Sequence, residues 1–305
     1  CTKATTALVT TATVTDVHAG GGRVYAREST EGLISCPTSA PCASPSLLFN
    51  IPVSDKLFDF SAGTNLVYTL QAAADAGSVH QASPDGTGDK ALLQNLAYPA
   101  WVAVSGSRTF WVDDTSTVNS SVTPAVLHCI GCGSGDQAWI TGLNATYAAF
   151  ADANDVYVLA DDGASSFTYG IYGCSVTTAC GGSPHVVATG LDTSALTVAS
   201  DGTHVFVARS DESDIVSIDG AGTATPLALN VDVVALTVDA AKGELYFATF
   251  AGLVAVVKTD GTGSPSVVSS CDTNFGDIDS IAIDATNVYV LMGATGTSIF
   301  AIPRP

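Results

Sequence analysis

The chain has 305 residues, of which 47% are hydrophobic and only 13% are charged, and 29 are glycines. Ten basic residues against 29 acidic residues give a formal net charge of -19. This charge repels phosphate backbones and anionic membrane surfaces, which argues against nucleic acid or such a surface as a partner. Two interpretations of the acidic surface stay open: it keeps an exported protein soluble, or it attracts cations and basic partners. No apolar run approaches the ~20 residues of a membrane-spanning helix.

Short strands follow one another along the chain, and an apolar–aromatic pair recurs in them. The seven copies are Val24-Tyr25, Val67-Tyr68, Thr109-Phe110, Val156-Tyr157, Val205-Phe206, Leu245-Tyr246 and Val288-Tyr289. From Tyr25 to Tyr289 is 264 residues over six intervals, a mean of 44. A period of about 40–50 residues with several short strands per unit is typical of propeller blades. We expect the aromatic rings to fill the core between packed blades.

The repeat therefore predicts an all-β fold, a seven-bladed β-propeller with four-stranded blades that forms one domain over residues 1–305. The predicted blades cover 14–54, 57–97, 100–143, 147–191, 195–231, 234–271 and 279–302. The last blade lacks a fourth strand, because only Pro-Arg-Pro follows Ile302. Residues 4–11 are β-prone and occupy the repeat position of a fourth strand. We predict that they close the ring by pairing with residues 298–302, which removes two open sheet edges.

Six of the eight cysteines fall in pairs between the third and fourth strands of a blade: Cys36 with Cys42, Cys129 with Cys132, and Cys174 with Cys180. In three other blades this turn contains Asp85-Gly86, Asp219-Gly220 or Asp260-Gly261, and Asp-Gly supplies the positive φ of a tight hairpin. We therefore predict three local disulfides and an oxidising compartment. For Cys129 and Cys132 the alternative is a zinc half-site or a redox pair. Zinc requires about four ligands, and a redox pair usually lies at a helix N-terminus.

Cys1 and Cys271 are left over. The repeat alignment places them at opposite ends of the blades, and the Cα atoms of a disulfide must lie within about 7 Å, so their pairing is not favoured. We expect lipidation or an intermolecular link for these two residues. A chain that begins with Cys, without a recognisable signal peptide, looks like a mature bacterial lipoprotein with an acylated terminus. A processing boundary is the alternative.

Three runs resemble a known family: Ile171–Cys174, Cys180–Gly190 and Ile281–Tyr289. They look like the repeats of predicted seven-bladed propeller lipoproteins that are widespread in myxobacteria and related bacteria. That family's pattern is an IAVDATxVYW-type strand pair, a VxxC…CGGxP hairpin and a LASG-type fourth strand. The resemblance extends over all seven units, although the Trp that often follows the aromatic is present only as Trp111. It implies a propeller fold and a cell-surface location, and it brings no activity that transfers to a residue.

Candidate ligand residues lie at one end of the blades, near the mouth of the predicted channel, where loops on a rigid scaffold usually carry function. The carboxylates are Asp16, Asp59, Asp192, Asp232 and Asp279, and the aromatic residues near first strands are Tyr98, Trp101 and Tyr147. Carboxylates around a channel suit Ca²⁺, which prefers about six to eight oxygen ligands. Carboxylates beside aromatic rings suit sugars. The simpler interpretation is that these aspartates cap loops and solvate the surface.

Catalytic motifs are missing from the sequence. No Gly-x-Ser-x-Gly elbow is present, and the five histidines scatter over different strands and turns. We therefore expect an exported, non-enzymatic propeller without a cofactor, a binding or structural module outside the cell or on the outer-membrane surface. Its expected partners are a surface protein, a polysaccharide or a second copy of the chain. The alternative is a Ca²⁺-dependent hydrolase of the lactonase or esterase type that uses the channel-mouth carboxylates.

Overall fold

The computed structural model describes residues 1–2, 6–9, 14–28, 32–39, 45–50, 56–71, 76–113, 125–133, 136–163, 168–192, 196–209, 212–271, 277–293 and 298–305. For residues 6–9, 50, 56, 58, 192 and 196 only the backbone is described. Every named element within these ranges is a β-strand. None of the described residues belongs to a helix long and apolar enough to cross a membrane.

The strands form seven four-stranded antiparallel sheets, the blades. In chain order they are β1 Thr6–Val9; β2 Val14–Gly20, β3 Arg23–Glu28, β4 Gly32–Pro37 and β5 Ser46–Asn50; β6 Lys56–Ala62, β7 Leu66–Gln71, β8 Gly77–Ala82 and β9 Lys90–Leu96; β10 Pro99–Ser105, β11 Arg108–Asp113, β12 Ala125–Ile130 and β13 Gln137–Leu143; β14 Thr146–Ala151, β15 Asp155–Asp161, β16 Thr168–Ser175 and β17 His185–Asp192; β18 Leu196–Ser200, β19 His204–Arg209, β20 Asp214–Asp219 and β21 Ala224–Leu229; β22 Val233–Asp239, β23 Glu244–Thr249, β24 Leu253–Lys258 and β25 Ser266–Ser270; β26 Ile278–Ile283, β27 Asn287–Met292 and β28 Ser298–Pro303. The predicted fold class, an all-β seven-bladed propeller with four-stranded blades, is confirmed.

The amino-terminal strand completes the last blade. β1 pairs antiparallel with β28, with Thr6 opposite Ala301 and Val9 opposite Ser298. The sheet order is β1-β28-β27-β26, whereas each of the other six blades uses four consecutive strands. This pairing confirms the predicted role of the chain's first residues as the fourth strand of blade 7.

The recurring aromatic residues are core residues, as predicted. None of the seven, Tyr25, Tyr68, Phe110, Tyr157, Phe206, Tyr246 and Tyr289, exposes more than 6% of its surface. Several buried tyrosines keep their hydroxyl group hydrogen-bonded at the rim of the sheet. Tyr68 donates to Asp89 at 2.9 Å and Tyr289 donates to Asp284 at 2.7 Å. The rings therefore fill the blade core without leaving a buried hydroxyl unsatisfied.

The blades belong to two compact units, which are described separately. Blades 2, 3 and 4 make up one unit, Ile51–Thr193 with Gly220–Gly222, and the others make up the second, Cys1–Asn50, Ser194–Asp219 and Thr223–Pro305. In the first of these units, residues on alternate positions of blade 3, such as Phe110 and Leu127, pack with Val156 and Val158 of blade 4. In the second unit, Tyr246 and Val254 of blade 6 pack with Ile281 and Val288 of blade 7. Strand alternation thus gives each blade two apolar faces.

The first strand of six blades contains a β-bulge in its pairing with the second strand. The register shifts occur at Val14/Asp16, Leu57/Asp59, Pro99/Val102, Thr146/Ala148, Val233/Ala235 and Ile278/Ser280. A bulge bends the strand and redirects the side chains beside it, and bulges are common next to functional sites. These bulges lie at the end of the blades where the candidate ligand residues were predicted.

The hairpin turns between third and fourth strands depend on aspartate as much as on glycine. Gly86 and Gly261 adopt positive φ, as the Asp-Gly pattern predicts. In blade 5 the prediction is wrong for Gly220, because the positive φ is at Gly222 instead. There the carboxylate of Asp219 accepts the N–H of Thr223, four residues on, whereas Asp85 and Asp260 each accept an N–H two residues on. Because this capped turn is longer, the residue with positive φ is Gly222 and not the glycine that directly follows Asp219.

Two local disulfides join Cys129 to Cys132 and Cys174 to Cys180, the pairs that the hairpin positions predict. Cys36 is also disulfide-bonded. Its predicted partner, Cys42, lies outside the described residues.

Cys1 and Cys271 form a further disulfide, at a sequence separation of 270. This corrects the expectation that Cys1 and Cys271 lie at opposite ends of the blades and serve lipidation or an intermolecular link. The expectation extended the register of the closing strand, which is described over Thr6–Val9, back to Cys1. The N–H of Thr2 instead donates to the carbonyl of Ser270 at 2.8 Å, which holds Cys1 beside the end of β25. Because each sulfur is used in this bond, neither serves as an attachment point in the structure.

A buried arginine near the carboxyl terminus ties blade 7 to blade 6. The Arg304 side chain is only 3% exposed and donates to the carboxylates of Asp239 and Glu244. Its Nε donates to the Tyr246 hydroxyl at 3.1 Å, and its Nη1 donates to the Asp284 carbonyl at 2.6 Å. The guanidinium carbon also lies 4.9 Å from the centre of the Tyr246 ring. One side chain therefore bonds to two blades at once.

Candidate functional site

One end of blade 4 carries a pair of tyrosine rings, of which Tyr147 is exposed and Tyr169 is partly buried. Tyr147 lies in the bulge of β14 between Thr146 and Ala148 and is 41% exposed. Its ring centre lies 4.3 Å from that of Tyr169 on β16, with an interplanar angle of 64°. This edge-to-face arrangement is a favoured geometry for aromatic pairs. The bulge therefore turns Tyr147 out of the core and sets it against a second ring.

Two carboxylates lie beside these rings. Asp161 is the direct partner of Tyr169 in the pairing of β15 with β16, and Asp162 follows it. The Asp161 carboxylate accepts the Gly163 N–H at 2.7 Å. The Asp162 carboxylate accepts the Thr168 hydroxyl at 2.6 Å and the Gly190 N–H at 3.0 Å. We call Tyr147, Tyr169, Asp161 and Asp162 the blade 4 patch.

A third tyrosine is aimed at the same carboxylates. A Cβ atom at Gly170 would lie 2.7 Å from the Tyr172 hydroxyl oxygen, so glycine at this strand position makes room for the Tyr172 side chain. Burial, and then the charges of Asp162 and Asp161, raise the pKa of the Tyr172 phenol. The phenol therefore keeps its proton over the physiological range and provides a neutral donor near both carboxylates.

The other predicted residues of blades 2 to 4 do not join the blade 4 patch. The Asp59 carboxylate accepts the Val102 N–H at 2.8 Å and so links blades 2 and 3. The Tyr98 N–H donates to Asp113 at 3.1 Å, and Trp101 packs half-buried against the core of blades 3 and 4. The side chain of Asp192 lies outside the described residues. Of the three predicted aromatic residues, only Tyr147 is largely exposed.

In the other unit, Asp16 is part of a hydrogen-bonded cluster on the first strands of blades 1 and 7. Its carboxylate accepts hydrogen bonds from the Ser280 hydroxyl and from the Val17 N–H, each at 2.8 Å. It also lies 3.2 Å from the His18 Nε2 atom. Burial alone would raise the pKa of Asp16, but the His18 and Ser280 contacts lower it to about 2. Asp16 is therefore ionised, and its hydrogen bond from Ser280 joins blade 1 to blade 7.

Asp232 and Asp279 are both exposed and belong to this unit as well. Burial and the charge of Asp277 raise the pKa of the Asp279 carboxyl. The Asp232 carbonyl accepts the N–H of Phe250, a loop residue that is 47% exposed, at 3.0 Å. Phe250 is a second exposed aromatic residue near an aspartate, but it lies in a loop, whereas Tyr147 lies on a strand.

No metal-binding constellation is found in the part of the chain that the structure describes, where no three His, Cys, Asp or Glu side chains lie close enough to hold an ion. The histidines pair with aspartates in separate blades. His80 lies 3.3 Å from Asp89, and His128 lies 2.9 Å from Asp136. Each imidazole stacks on a buried ring, His80 on Tyr68 and His128 on Trp111, so these pairs support the blades.

No protein-family model matches the chain, and no curated protein matches it. Among solved structures it is similar to a puromycin hydrolase mutant complexed with PGG, at 12% identity and a TM-score of 0.68, over 92% of this chain and 50% of the hydrolase. A chain of the mitotic checkpoint complex is similar at 10% identity and a TM-score of 0.66, over 100% of this chain and 96% of that one. Peptide-bound YCF48 is similar at 12% identity and a TM-score of 0.62, over 98% and 96%.

This chain spans about half the length of the puromycin hydrolase it matches. At these identities the similarity shows the fold alone. The fold is that of a seven-bladed β-propeller. Both hydrolases and chains from polypeptide complexes have it, so function has to be argued from the site.

Proposed function

We propose that this chain is an exported, non-enzymatic binding module whose ligand contacts the blade 4 patch. The observation that carries the proposal is the Tyr147–Tyr169 pair, in which Tyr147 is exposed and Tyr169 lies directly opposite Asp161 on the neighbouring strand. Tyrosine supplies a large, stiff contact area at a low cost in side-chain entropy, and tyrosines are enriched at binding sites. Because the strands fix both rings in advance, less ordering is required when a ligand binds.

Export to an oxidising compartment is part of the proposal. The described residues contain three disulfides, and such bonds are rare in cytosolic proteins. The resemblance of several repeats to bacterial surface propellers supports the same compartment, outside the cell or on its outer surface.

Protein is the partner class that the structural similarities support best. The mitotic checkpoint complex and peptide-bound YCF48 are assemblies of a similar fold with other polypeptides. We do not extend the proposal to a Ca²⁺-dependent hydrolase, because Asp16 and Asp59 already accept hydrogen bonds within their own units. A calcium ion would have to compete with these bonds for its oxygen ligands.

A binding screen of matched variants tests this function. Wild-type chain, Tyr147→Ala and Phe250→Ala are immobilised and exposed to arrayed basic, acidic and neutral peptides and to arrayed polysaccharides. Phe250 is the control because it is an equally exposed aromatic residue away from blade 4. We expect at least one ligand class to bind wild type and Phe250→Ala but to lose affinity for Tyr147→Ala. The proposal is wrong if no class distinguishes Tyr147→Ala from wild type.

A further inference from the structure

The part of the sequence that contains the blade 4 patch is acidic and has no Lys or Arg. Between Arg108 and Arg209 the sequence has no Lys or Arg, although this stretch contains nine aspartates. The stretch includes most of blade 3 and all of blade 4. A partner with basic side chains would complement this local negative charge.

The exposed Tyr147 ring indicates how a positive charge on the partner would be bound. A cation placed over a tyrosine face within about 6 Å of the ring centre is attracted by the ring quadrupole, and arginine is the commonest partner. A guanidinium group also stacks flat on an aromatic ring while its N–H groups donate to a carboxylate. The direct pairing of Tyr169 with Asp161 brings a ring and a carboxylate together in this way.

The blade 4 patch is rigid enough for selective recognition. Tyr147 and Tyr169 lie on strands, and the two carboxylates are fixed by hydrogen bonds from Gly163, Thr168 and Gly190. Such preorganised acceptors favour a ligand whose donors have a fixed geometry. The planar guanidinium group has that property, whereas the lysine ammonium group is a flexible point charge.

We propose that the blade 4 patch binds an arginine-containing segment of a partner protein. This inference rests on the proposed binding function and names its ligand chemistry. An arginine side chain lies over the exposed Tyr147 ring and donates to Asp161. A neutral sugar could also stack against these rings, but it carries no positive charge to pair with Asp161, so the test must distinguish it from an arginine ligand.

The probe is a fluorescein-labelled peptide of alternating Arg and Gly, measured by fluorescence anisotropy at low and at physiological salt. Two companion peptides replace Arg by Lys or by citrulline, which has the shape of Arg without its charge. Neutral cello- and chito-oligosaccharides form the third arm. We expect the order Arg, then Lys, with citrulline and the oligosaccharides unbound, and we expect salt to weaken binding.

Matched variants separate the blade 4 patch from the general acidity of the chain. Asp161→Asn and Asp260→Asn remove the same charge, and both carboxylates accept a turn N–H two residues on. Tyr147→Ala and Phe250→Ala both remove an exposed ring. We expect Tyr147→Ala and Asp161→Asn each to weaken Arg-peptide binding by roughly threefold or more, with the two controls unchanged. Thermal melts of all four variants serve as the control that each one is folded.

Three results would overturn the inference. Equal losses in Asp161→Asn and Asp260→Asn would show that the peptide responds to net charge and not to the blade 4 patch. Binding of the citrulline peptide or an oligosaccharide that depends on Tyr147 would leave the binding function standing with a neutral ligand. Absence of Arg-peptide binding to wild type rejects the arginine ligand, and the binding screen above then decides separately on the function.

Discussion

The Cys1–Cys271 disulfide should stabilise this protein far more than its hairpin disulfides do. The perturbation is the double variant Cys1→Ala/Cys271→Ala, with Cys174→Ala/Cys180→Ala as the matched control. Cys271 and Cys174 are both buried, so the lost apolar contacts are comparable. The bonds differ mainly in the length of chain they close, which is 270 residues in one case and 6 in the other.

Loop-closure entropy sets the size of the difference. In the chain-entropy account, stabilisation grows with the logarithm of the closed length, and a ratio of 270 to 6 corresponds to about 3 kcal/mol at 25 °C. The long-range bond also anchors the chain close to the amino-terminal strand, which pairs with β28 and completes blade 7. Its loss should therefore lower the free energy of unfolding by about 3 kcal/mol more than loss of the hairpin bond.

Urea denaturation of both variants and wild type under non-reducing conditions measures this difference. Circular dichroism and tryptophan fluorescence should be followed together, so that a separate early transition of blade 7 is visible. Equal losses in the two double variants, to within about 1 kcal/mol, would refute the loop-closure reasoning. Unchanged stability of Cys1→Ala/Cys271→Ala would show that the bond does not constrain the chain.

Three further predictions concern Arg304, Asp16 and the effect of removing Ca²⁺. Replacing Arg304 by Met leaves the Asp239 and Glu244 carboxylates without their buried partner and should cost about 3–5 kcal/mol in urea denaturation. Because the folded-state pKa of Asp16 is lowered to about 2, Asp16→Asn should lose about 2 kcal/mol at pH 7. Wild type loses this advantage as the pH falls from about 4 to 2, so the two stabilities should converge there. The proposed binding function requires no Ca²⁺, so EDTA should leave the melting temperature unchanged.

Each of these three predictions would be contradicted by a specific result. An Arg304→Met variant as stable as wild type would mean that the carboxylates find water instead of remaining buried. A stability gap for Asp16→Asn that persists at pH 2 would mean that the gap does not come from the ionised carboxylate. A downward shift of several degrees with EDTA, reversed by Ca²⁺, would revive the calcium-dependent hydrolase.

The repeat was predictable because its signals are local. Alternation along a strand and the spacing of buried aromatics such as Tyr25 and Tyr289 depend on neighbouring residues, and the structure confirms both. The fourth strand of blade 7 was predictable for the same reason, since Thr6–Val9 has the same β-prone pattern as the other strands.

Contacts that depend on bulges and chain ends were not predictable. Trp101 and Tyr147 occupy similar sequence positions near first strands, yet Trp101 packs into the core and Tyr147 is exposed. Each bulge inserts one extra residue, between Pro99 and Val102 in blade 3 and between Thr146 and Ala148 in blade 4, and strand alternation does not give the side-chain direction inside a bulge. Arg304 and Cys1 lie outside any repeat pattern, and their partners are distant in sequence.

The central claim is that ligand recognition takes place at the Tyr147–Tyr169 pair, and fluorine NMR of the chain labelled with 3-fluorotyrosine observes it directly. Tyr→Phe variants assign the resonances, and the Arg–Gly peptide is then titrated into the sample. We predict that the Tyr147 and Tyr169 resonances shift in a saturable way while those of the buried Tyr25 and Tyr289 stay in place. Saturable shifts confined to other tyrosines, with Tyr147 and Tyr169 unmoved, would contradict the claim.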